Sequence, residues 1–418
     1  MSHTNAAPLM VVGAGIAGVT AALEAAEAGR EVILVEREPS IGGRVLRSHN
    51  YFPKLCPPSC GMEINTRRLE RNPRVMVFTD TTVTKAERSG AGWSVTLKTA
   101  PAFVNSRCTV CDECSQVCPV KVADPFNLGL TEVPAVRLPH LDAWPARYTL
   151  DRTACPDGCA ACVDACKFGA IDLAAKATEK TVTVSAAVMA TGWHPYPLEN
   201  LTDLGGGVLP DVINNVTLER LAAPAGPTAG KILRPSDNSA PAKVAFVQCA
   251  GSRDVNHLPY CSGICCLASM KQAMYVKEQL PESEVTIYYI DRRTPGRNED
   301  MLTKVTEMEG VNLVKGKVGK VTQDGHGLVL KVEDVETGRL LEAQADLVVL
   351  ATGMVSNLGG EAPPFAVKTD GDGFGLDDRE AKVFVTGVAR RPEDVAASVR
   401  DATGAAAKAC VAATGGAK

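Results

Sequence analysis

Four of the chain's fifteen cysteines fall within KVAFVQCAGSRDVNHLPYCSGICCLASMKQA, residues 243–273. Cys249 closes an apolar run at 244–247 that reads as a buried strand. Cys261, Cys265 and Cys266 follow, and the pattern over 267–279 is helical. At such a strand-to-helix crossing a nucleotide-binding βαβ unit carries a Gly-rich phosphate loop. No G-x-G-x-x-G stands here. Four soft thiolate donors take its place, a set that suits an iron–sulfur cluster, expected as 4Fe–4S. The neighbours Cys265 and Cys266 cannot both face one side of a helix. They are expected in a loop just before it, with the helix N-terminus adding positive partial charge.

A second cysteine-rich region begins CTVCDECSQVCP. Cys108, Cys111, Cys114 and Cys118 stand at the C-x2-C-x2-C-x3-C-P spacing of bacterial ferredoxins. CPDGCAACVDACKFGAID follows, with Cys155, Cys159, Cys162 and Cys166. Its first gap is one residue longer than that spacing, and Lys167 stands where Pro is usual. In two-cluster ferredoxins the fourth cysteine of each run serves the other cluster. The expected sets are therefore Cys108, Cys111, Cys114 with Cys166, and Cys155, Cys159, Cys162 with Cys118. With the set at Cys249, three clusters are expected.

The flavin-type signature lies at the start of the chain. A short apolar strand at 10–12 runs into Gly13-Ala14-Gly15-Ile16-Ala17-Gly18, and an Ala-rich helical stretch follows. Gly13, Gly15 and Gly18 allow a tight turn and close approach to a pyrophosphate resting on the helix N-terminus. Glu36, after the strand at 32–35, stands where an acid hydrogen-bonds a ribose hydroxyl. Gly42-Gly43-Arg44 resembles the second glycine signature of FAD-binding flavoproteins with two dinucleotide domains, so FAD is the expected cofactor. Strands at 184–189 and 346–350 end in Ala-Thr-Gly, placing Thr191, Gly192, Thr352 and Gly353 at the crossings between such domains. The strand at 383–385, before Gly387, resembles the one that approaches the ribityl chain. The Asp usual after that glycine is Val388 here, so main-chain donors near Gly387 and a helix at 395–407 are expected to serve.

These motifs need a frame of two Rossmann-like α/β domains, of the FAD-dependent disulfide-reductase type, with a ferredoxin-like α+β insert. The expected map is an FAD domain at 1–100, the insert at 101–175, and the FAD domain and a Pro/Gly-rich linker at 176–242. A second Rossmann-like domain at 243–340 follows, and the FAD domain is completed at 341–418. Within the second domain, strands are expected at 244–247, 285–290 and 311–314 and helices near 267–279 and 299–308. At 418 residues two to three domains are expected. A net charge of −4 without a basic stripe argues against nucleic acid. The apolar runs are too short to span a membrane, and the first of them reads as a strand rather than a signal peptide. Fifteen cysteines in such a chain read as metal ligands in a reducing cytoplasm.

Long strings throughout the chain, among them YFPKLCPPSCGMEIN, RLAAPAGPTAGKILRPSD and GVARRPEDV, resemble the A subunits of heterodisulfide reductases. The resemblance is stronger to their relatives, the A subunits of quinone-interacting membrane-bound oxidoreductase complexes. It implies an electron-transfer role in dissimilatory sulfur metabolism. The chain would work with adenylylsulfate reductase, with a sibling flavin/iron–sulfur subunit, and with a membrane quinone-binding subunit. Membrane attachment would come only through partners, at the inner face of the cytoplasmic membrane. A flavin beside several clusters can also split or join electron pairs, as in bifurcation or confurcation.

Two other classes compete. An NAD(P)H-dependent disulfide-type oxidoreductase would need the second Gly-rich loop that is missing, and a zinc scaffold would need no ferredoxin-type spacing. Cys56 and Cys60 follow the Gly42-Gly43 signature where disulfide reductases hold a redox pair. The plainer reading is that they lie buried and inert in a loop with Pro53, Pro57 and Pro58. Cys410 reads as core and His257 as a surface-loop histidine.

Overall fold

The structure is a computed structural model that describes residues 7–52, 54–325, 327–359 and 364–414. The chain opens with β1 (Leu9–Val12), α1 (Ile16–Glu27), β2 (Val32–Val35), α2 (Pro58–Arg71) and β3 (Val75–Phe78). A hairpin of β4 (Thr81–Ser89) and β5 (Gly92–Thr99) leads into the insert. There, α3 (Glu113–Gln116) precedes β6 (Lys121–Ala123), β7 (Glu132–Pro134), β8 (Val136–Arg137), β9 (Thr149–Leu150) and α4 (Ala161–Ala165). The chain returns through β10 (Thr178–Val184), β11 (Ala186–Met189) and β12 (Trp193–Pro195). Next come β13 (Val212–Asn214), α5 (Asn215–Ala222), β14 (Lys243–Ala250), α6 (Cys265–Gln279) and β15 (Glu284–Tyr289). They are followed by α7 (Glu299–Thr306), β16 (Val311–Asp324), β17 (Gly327–Asp334) and β18 (Arg339–Ala345). The chain ends with β19 (Leu347–Thr352), β20 (Met354–Ser356), β21 (Val383–Val385) and α8 (Val395–Ala413).

The first sheet is parallel, in the order β21-β11-β1-β2-β3. Its strands are short and apolar because both faces are covered. Alanines of α1 and α8 pack on one face together with Val11 and Leu34, and the small side chains let helix and sheet approach closely. On the other face Met10, Val35 and Met189 meet Trp93, Val95 and Leu97 of β5, within the three-stranded sheet β10-β5-β4. The expected strand at 184–189 is two elements. Val184 ends β10 in that small sheet, and β11 starts at Ala186 in the parallel one.

The second sheet has seven strands in the order β13-β19-β14-β15-β16-β17-β18. Helices α5, α6 and α7 cover one face through Leu218, Leu267, Met270 and Val305. β16 to β18 form an antiparallel meander at the edge. This shifts the expected boundaries. β13 and α5, placed by sequence in the FAD domain, belong to the second domain, and so does β19, expected to begin the last FAD segment. β13 pairs with β19, and β19 with β14, burying a continuous parallel core. β16 runs to Asp324, well beyond the expected 314, because its second half pairs with β17. α8 likewise runs on to Ala413 rather than stopping at 407.

The insert builds little regular structure. Its core joins Val104, Ala135, Val136, Tyr148, Leu150 and Ile171 to the sulfurs of Cys114 and Cys162, with other cysteines around it. A domain this small, with so few apolar side chains, needs cross-links or metal to hold its shape.

Candidate functional site: a glycine loop and three cysteine sets

The glycine loop is fixed by steric need at two positions and left open at a third. Gly13 has φ +99°, and a Cβ there would lie 2.3 Å from the Ala190 oxygen; one at Gly18 would lie 1.7 Å from the Gly13 oxygen. At Gly15 a Cβ would meet only Gly43 Cα, at 3.9 Å. Gly15 caps α1, and no side chain satisfies the helix N-terminus. The open cradle and the free dipole end are what a pyrophosphate requires. The Gly42-Gly43 segment lies directly against it: the Gly42 N–H donates to the Ala14 oxygen at 2.8 Å, and Gly15 bridges Gly42.

The side chains around this cradle carry unused polar atoms. Arg44 is stacked over the Trp193 ring and donates through Nε to the Trp193 oxygen at 2.5 Å. Its Nη1 is buried without a hydrogen-bond partner among the described residues, and burial followed by the nearby Arg47 pulls its pKa down to about 10. An anion beside it would relieve that strain. Thr191 Oγ1 is likewise buried and unpartnered, and Gly192 faces open space. Glu36 accepts from the Ala14 N–H at 2.6 Å and from the Glu38 N–H at 3.0 Å, while burial raises its pKa above the usual carboxylate range. Each Glu36 oxygen keeps a second lone pair for a ribose hydroxyl. These residues fit FAD.

Gly387 departs from expectation. Its N–H is taken by Asp401 Oδ2 at 3.1 Å, and Asp401 also accepts from Thr386 Oγ1 at 2.8 Å and pairs with Arg390. The main-chain donor expected at Gly387 is therefore used inside the protein. Gly387 instead packs against α1, where a Cβ would lie 2.8 Å from Ala17 Cβ.

The four cysteines of the second domain gather at the carboxyl end of β14. A register shift between Val247 and Ala250 and a positive φ of +57° at Cys249 turn that residue out of the strand. Cys265 and Cys266 form the first turn of α6, not a loop before it. One helical turn suffices because the two sulfurs leave in different directions. Cys265 Sγ lies 3.9 Å from the Thr352 oxygen, and Cys266 Sγ donates to the Asp291 oxygen at 3.3 Å. The Gly263 N–H points to Cys261 Sγ at 3.4 Å. Burial, reinforced by the other three sulfurs, pushes the Cys265 thiol far up, and Cys249 and Cys266 are raised by burial as well. Clustered thiols of this kind ionise when cationic iron is bound.

Thr352 and Gly353 sit at this cysteine set rather than at the glycine loop. A Cβ on Gly353 would fall 2.4 Å from Ser252 Oγ and 2.9 Å from Ser262 Oγ. The two sites are nevertheless joined by a short ribbon. β20 pairs with β12, and Asn357 just beyond it donates to the Thr191 oxygen at 2.8 Å. From Thr352 to Asn357 the chain covers at most about 17 Å when extended.

In the insert, Cys108, Cys111, Cys114 and Cys166 line one cavity together with Tyr148 and Ile171. Burial, then Cys108, pushes the Cys114 thiol up to about 11, with Cys166 adding to it. Cys162 is raised by burial, with Cys118, Cys155 and Cys159 as its sulfur neighbours. The chain thus brings the eight cysteines together in the crossed grouping, and the Ala170 N–H reaches Cys166 Sγ at 3.3 Å. Among the described residues no group of three or more His, Cys, Asp or Glu side chains converges tightly enough for a single metal ion. A cubane spaces its thiolates more widely than a lone ion does, since each sulfur binds a different iron. If the crossing holds, Cys108→Ser and Cys166→Ser should each lose one cluster's iron and the double variant no more, whereas Cys108→Ser with Cys118→Ser should lose two. Iron and acid-labile sulfide counts decide between these patterns.

Cys56 is half-buried and Cys60 exposed at the start of α2, so burial does not make this pair inert. Pro53 of that loop lies outside the described residues. Cys410 is partly buried against the first core. His257 Nδ1 lies 3.0 Å from the Tyr196 hydroxyl in a cavity shared with Cys249, so it is held inside a loop rather than free on the surface. Sequence reasoning missed Trp193, Asn357 and Asp401. Trp193 directly follows an Ala-Thr-Gly crossing, which is a usable signal; the other two carry none.

Residues 8–48 match the family described as FAD dependent oxidoreductase. The chain is 34% identical over 416 residues to the iron-sulfur A subunit of the CoB--CoM heterodisulfide reductase of Methanocaldococcus jannaschii, covering 95% of this chain and 63% of that one. It is 32% identical to the A subunit of the H(2):CoB-CoM heterodisulfide,ferredoxin reductase of Methanothermobacter marburgensis, covering 96% and 63%. The homologues of this chain are A subunits of heterodisulfide reductases. The chain spans less than two thirds of the length of these relatives. In fold it is similar to the bacillithiol disulfide reductase of Bacillus cereus, with TM-score 0.54 at 12% identity, covering 98% of this chain and 99% of that one. It is also similar to the T. acidophilum thioredoxin reductase, with TM-score 0.52 at 14% identity and 98% of each chain covered. The expected α/β class with Rossmann-like domains is the class of these structures. Among the described residues no helix is long and apolar enough to cross a membrane.

Proposed function

We propose that this chain is a flavin and iron–sulfur electron-transfer oxidoreductase subunit. In this reading the loop from Gly13 to Gly18 with Glu36, Gly42, Gly43, Arg44, Thr191 and Gly192 holds FAD. Cys249, Cys261, Cys265 and Cys266 hold a 4Fe–4S cluster at the electron exit, and the two insert sets hold two more. Bound FAD would supply two-electron chemistry and each cluster one-electron transfer. The observation that carries this reading is the second domain's strand-to-helix crossing, which presents four clustered sulfurs. What the protein itself contributes is placement. Arg44 and the α1 N-terminus hold negative charge, the small residues of the loop exclude side chains from it, and the β12–β20 ribbon fixes the distance to the cysteines.

The finer part of the proposal follows from resemblance. The chain would act with a sibling flavin/iron–sulfur subunit, with a membrane quinone-binding subunit, and exchange electrons with adenylylsulfate reductase. It would lie on the cytoplasmic side, peripheral to the membrane through those partners. The test is anaerobic reduction of the cluster-loaded chain, followed by mixing with oxidised adenylylsulfate reductase. Rapid reoxidation of the chain in step with reduction of that enzyme is expected. No exchange, with or without the sibling present, would remove this partner from the proposal.

A further inference from the structure

The cysteine set of the second domain is met by guanidinium groups, and the insert cavity by carboxylates. Arg253 lines the same cavity as Cys249 and pairs through Nη1 with Asp291 Oδ2 at 2.7 Å. Arg293 Nη2 approaches the same carboxylate oxygen at 3.7 Å. Asp291 is also the residue whose main-chain oxygen receives the Cys266 thiol. Arg253, from the loop after β14, and Asp291 and Arg293, from the loop after β15, thus stand beside two of the four sulfurs. Around the insert cavity stand Asp112 and Glu113, the latter paired with Lys167 at 3.0 Å, and among the described residues no arginine lines it.

The backbone at Arg253 is held in an unusual state. Its φ is +58°, a region that costs a non-glycine residue roughly 1 kcal/mol. The Arg253 N–H donates to the Tyr260 oxygen at 3.1 Å, and Tyr260 is tied in turn to the Met354 oxygen at 2.8 Å. The loop therefore holds Arg253, and its pairing with Asp291, in a strained conformation, a pattern that marks functional positions.

We propose that Arg253, oriented by Asp291, is a positioning residue that raises the reduction potential of the cluster held by Cys249, Cys261, Cys265 and Cys266. Reduction adds one electron to the cluster and changes no bond in the protein. The added negative charge is stabilised by a nearby cation. At the insert cavity the carboxylates Asp112 and Glu113 stand against Lys167, so the added charge gains less there. Electrons shared between that insert cluster and the one in the second domain then favour the latter. The inference rests on the reading of these four cysteines as cluster ligands.

The test is potentiometric titration of the cluster-loaded full chain, followed by low-temperature electron paramagnetic resonance. The signal absent from Cys265→Ala identifies the cluster concerned. Arg253→Gln should lower its reduced-to-oxidised ratio about tenfold at fixed potential, equivalent to about 59 mV for one electron. Arg253→Lys should recover most of that shift. Asp291→Asn, which frees the guanidinium from its counter-charge, should shift the same signal the opposite way. Damage to the loop would move both variants in one direction or broaden the signal in both. An unchanged midpoint in Arg253→Gln, or equal-sign shifts in Arg253→Gln and Asp291→Asn, would overturn the inference. If Arg253→Gln fails to load, the sign of the Asp291→Asn shift decides. Absence of the cluster signal from the unaltered chain would instead defeat the ligand assignment itself.

Discussion

Cys265→Ala should give a protein that keeps its flavin, loses about four irons, and no longer passes electrons to a partner. Cys265 is the most enclosed of the four sulfurs, at 5% exposure, and lies against the Thr352 oxygen and the other three cysteines. Three ligands would remain, but the missing one is the anchor at the helix start. The cost to the fold itself is small, about 1 kcal/mol for one sulfur removed from a buried site. The glycine loop is untouched, since β1 belongs to a separate sheet on which α1 packs. Flavin absorbance at normal occupancy should therefore accompany an iron count reduced by one cluster, with electron delivery down by orders of magnitude. Iron retained in full, with normal partner reduction, would show that Cys265 is no ligand.

Gly15→Val should leave the protein folded and nearly free of flavin, whereas Gly18→Ala should damage the fold itself. The two glycines lie three residues apart and have opposite roles. A Cβ on Gly18 would strike the Gly13 oxygen at 1.7 Å, a main-chain atom that cannot move aside cheaply. Loss of several kcal/mol is expected there. Gly15 has ordinary extended dihedrals, φ −72° and ψ −176°, and open space beside it. Valine is a poor helix cap, which costs about 1 kcal/mol. Its branched side chain would, however, fill the cradle at the α1 N-terminus. FAD binding should weaken at least roughly 100-fold, about 2.8 kcal/mol. Thermal melting and flavin content, measured on both variants, should separate the two effects. Full flavin occupancy in Gly15→Val would place the cofactor elsewhere.

The motifs were legible because their chemistry is local. Gly13 to Gly18, Gly42-Gly43 and the ferredoxin-type spacings are short runs in which each residue answers to a nearby constraint. The sheet memberships of β13 and β19 were not legible in the same way. Val212 to Asn214 is three residues long, and only its pairing with Val348 to Leu350, far along the chain, assigns it to the second domain. The fate of Thr352 and Gly353 follows from the same cause: β19 carries them to the cysteines. The placement of Cys265 and Cys266 failed for a different reason. A helix was assumed to offer one face, but its first turn is bounded by two different walls, the end of β19 and the loop after β15. Asp401 could not be foreseen at all. It reaches Gly387 from inside α8, a contact that depends on the packing of that helix under the loop.

In the proposed function a flavin and three clusters lie in this one chain. The most direct measurement is therefore the iron, acid-labile sulfide, zinc and flavin content of the anaerobically purified protein. One FAD with about twelve irons and twelve sulfides per chain is the predicted result, corresponding to three 4Fe–4S clusters. Zinc without sulfide, or flavin without iron, would contradict the account.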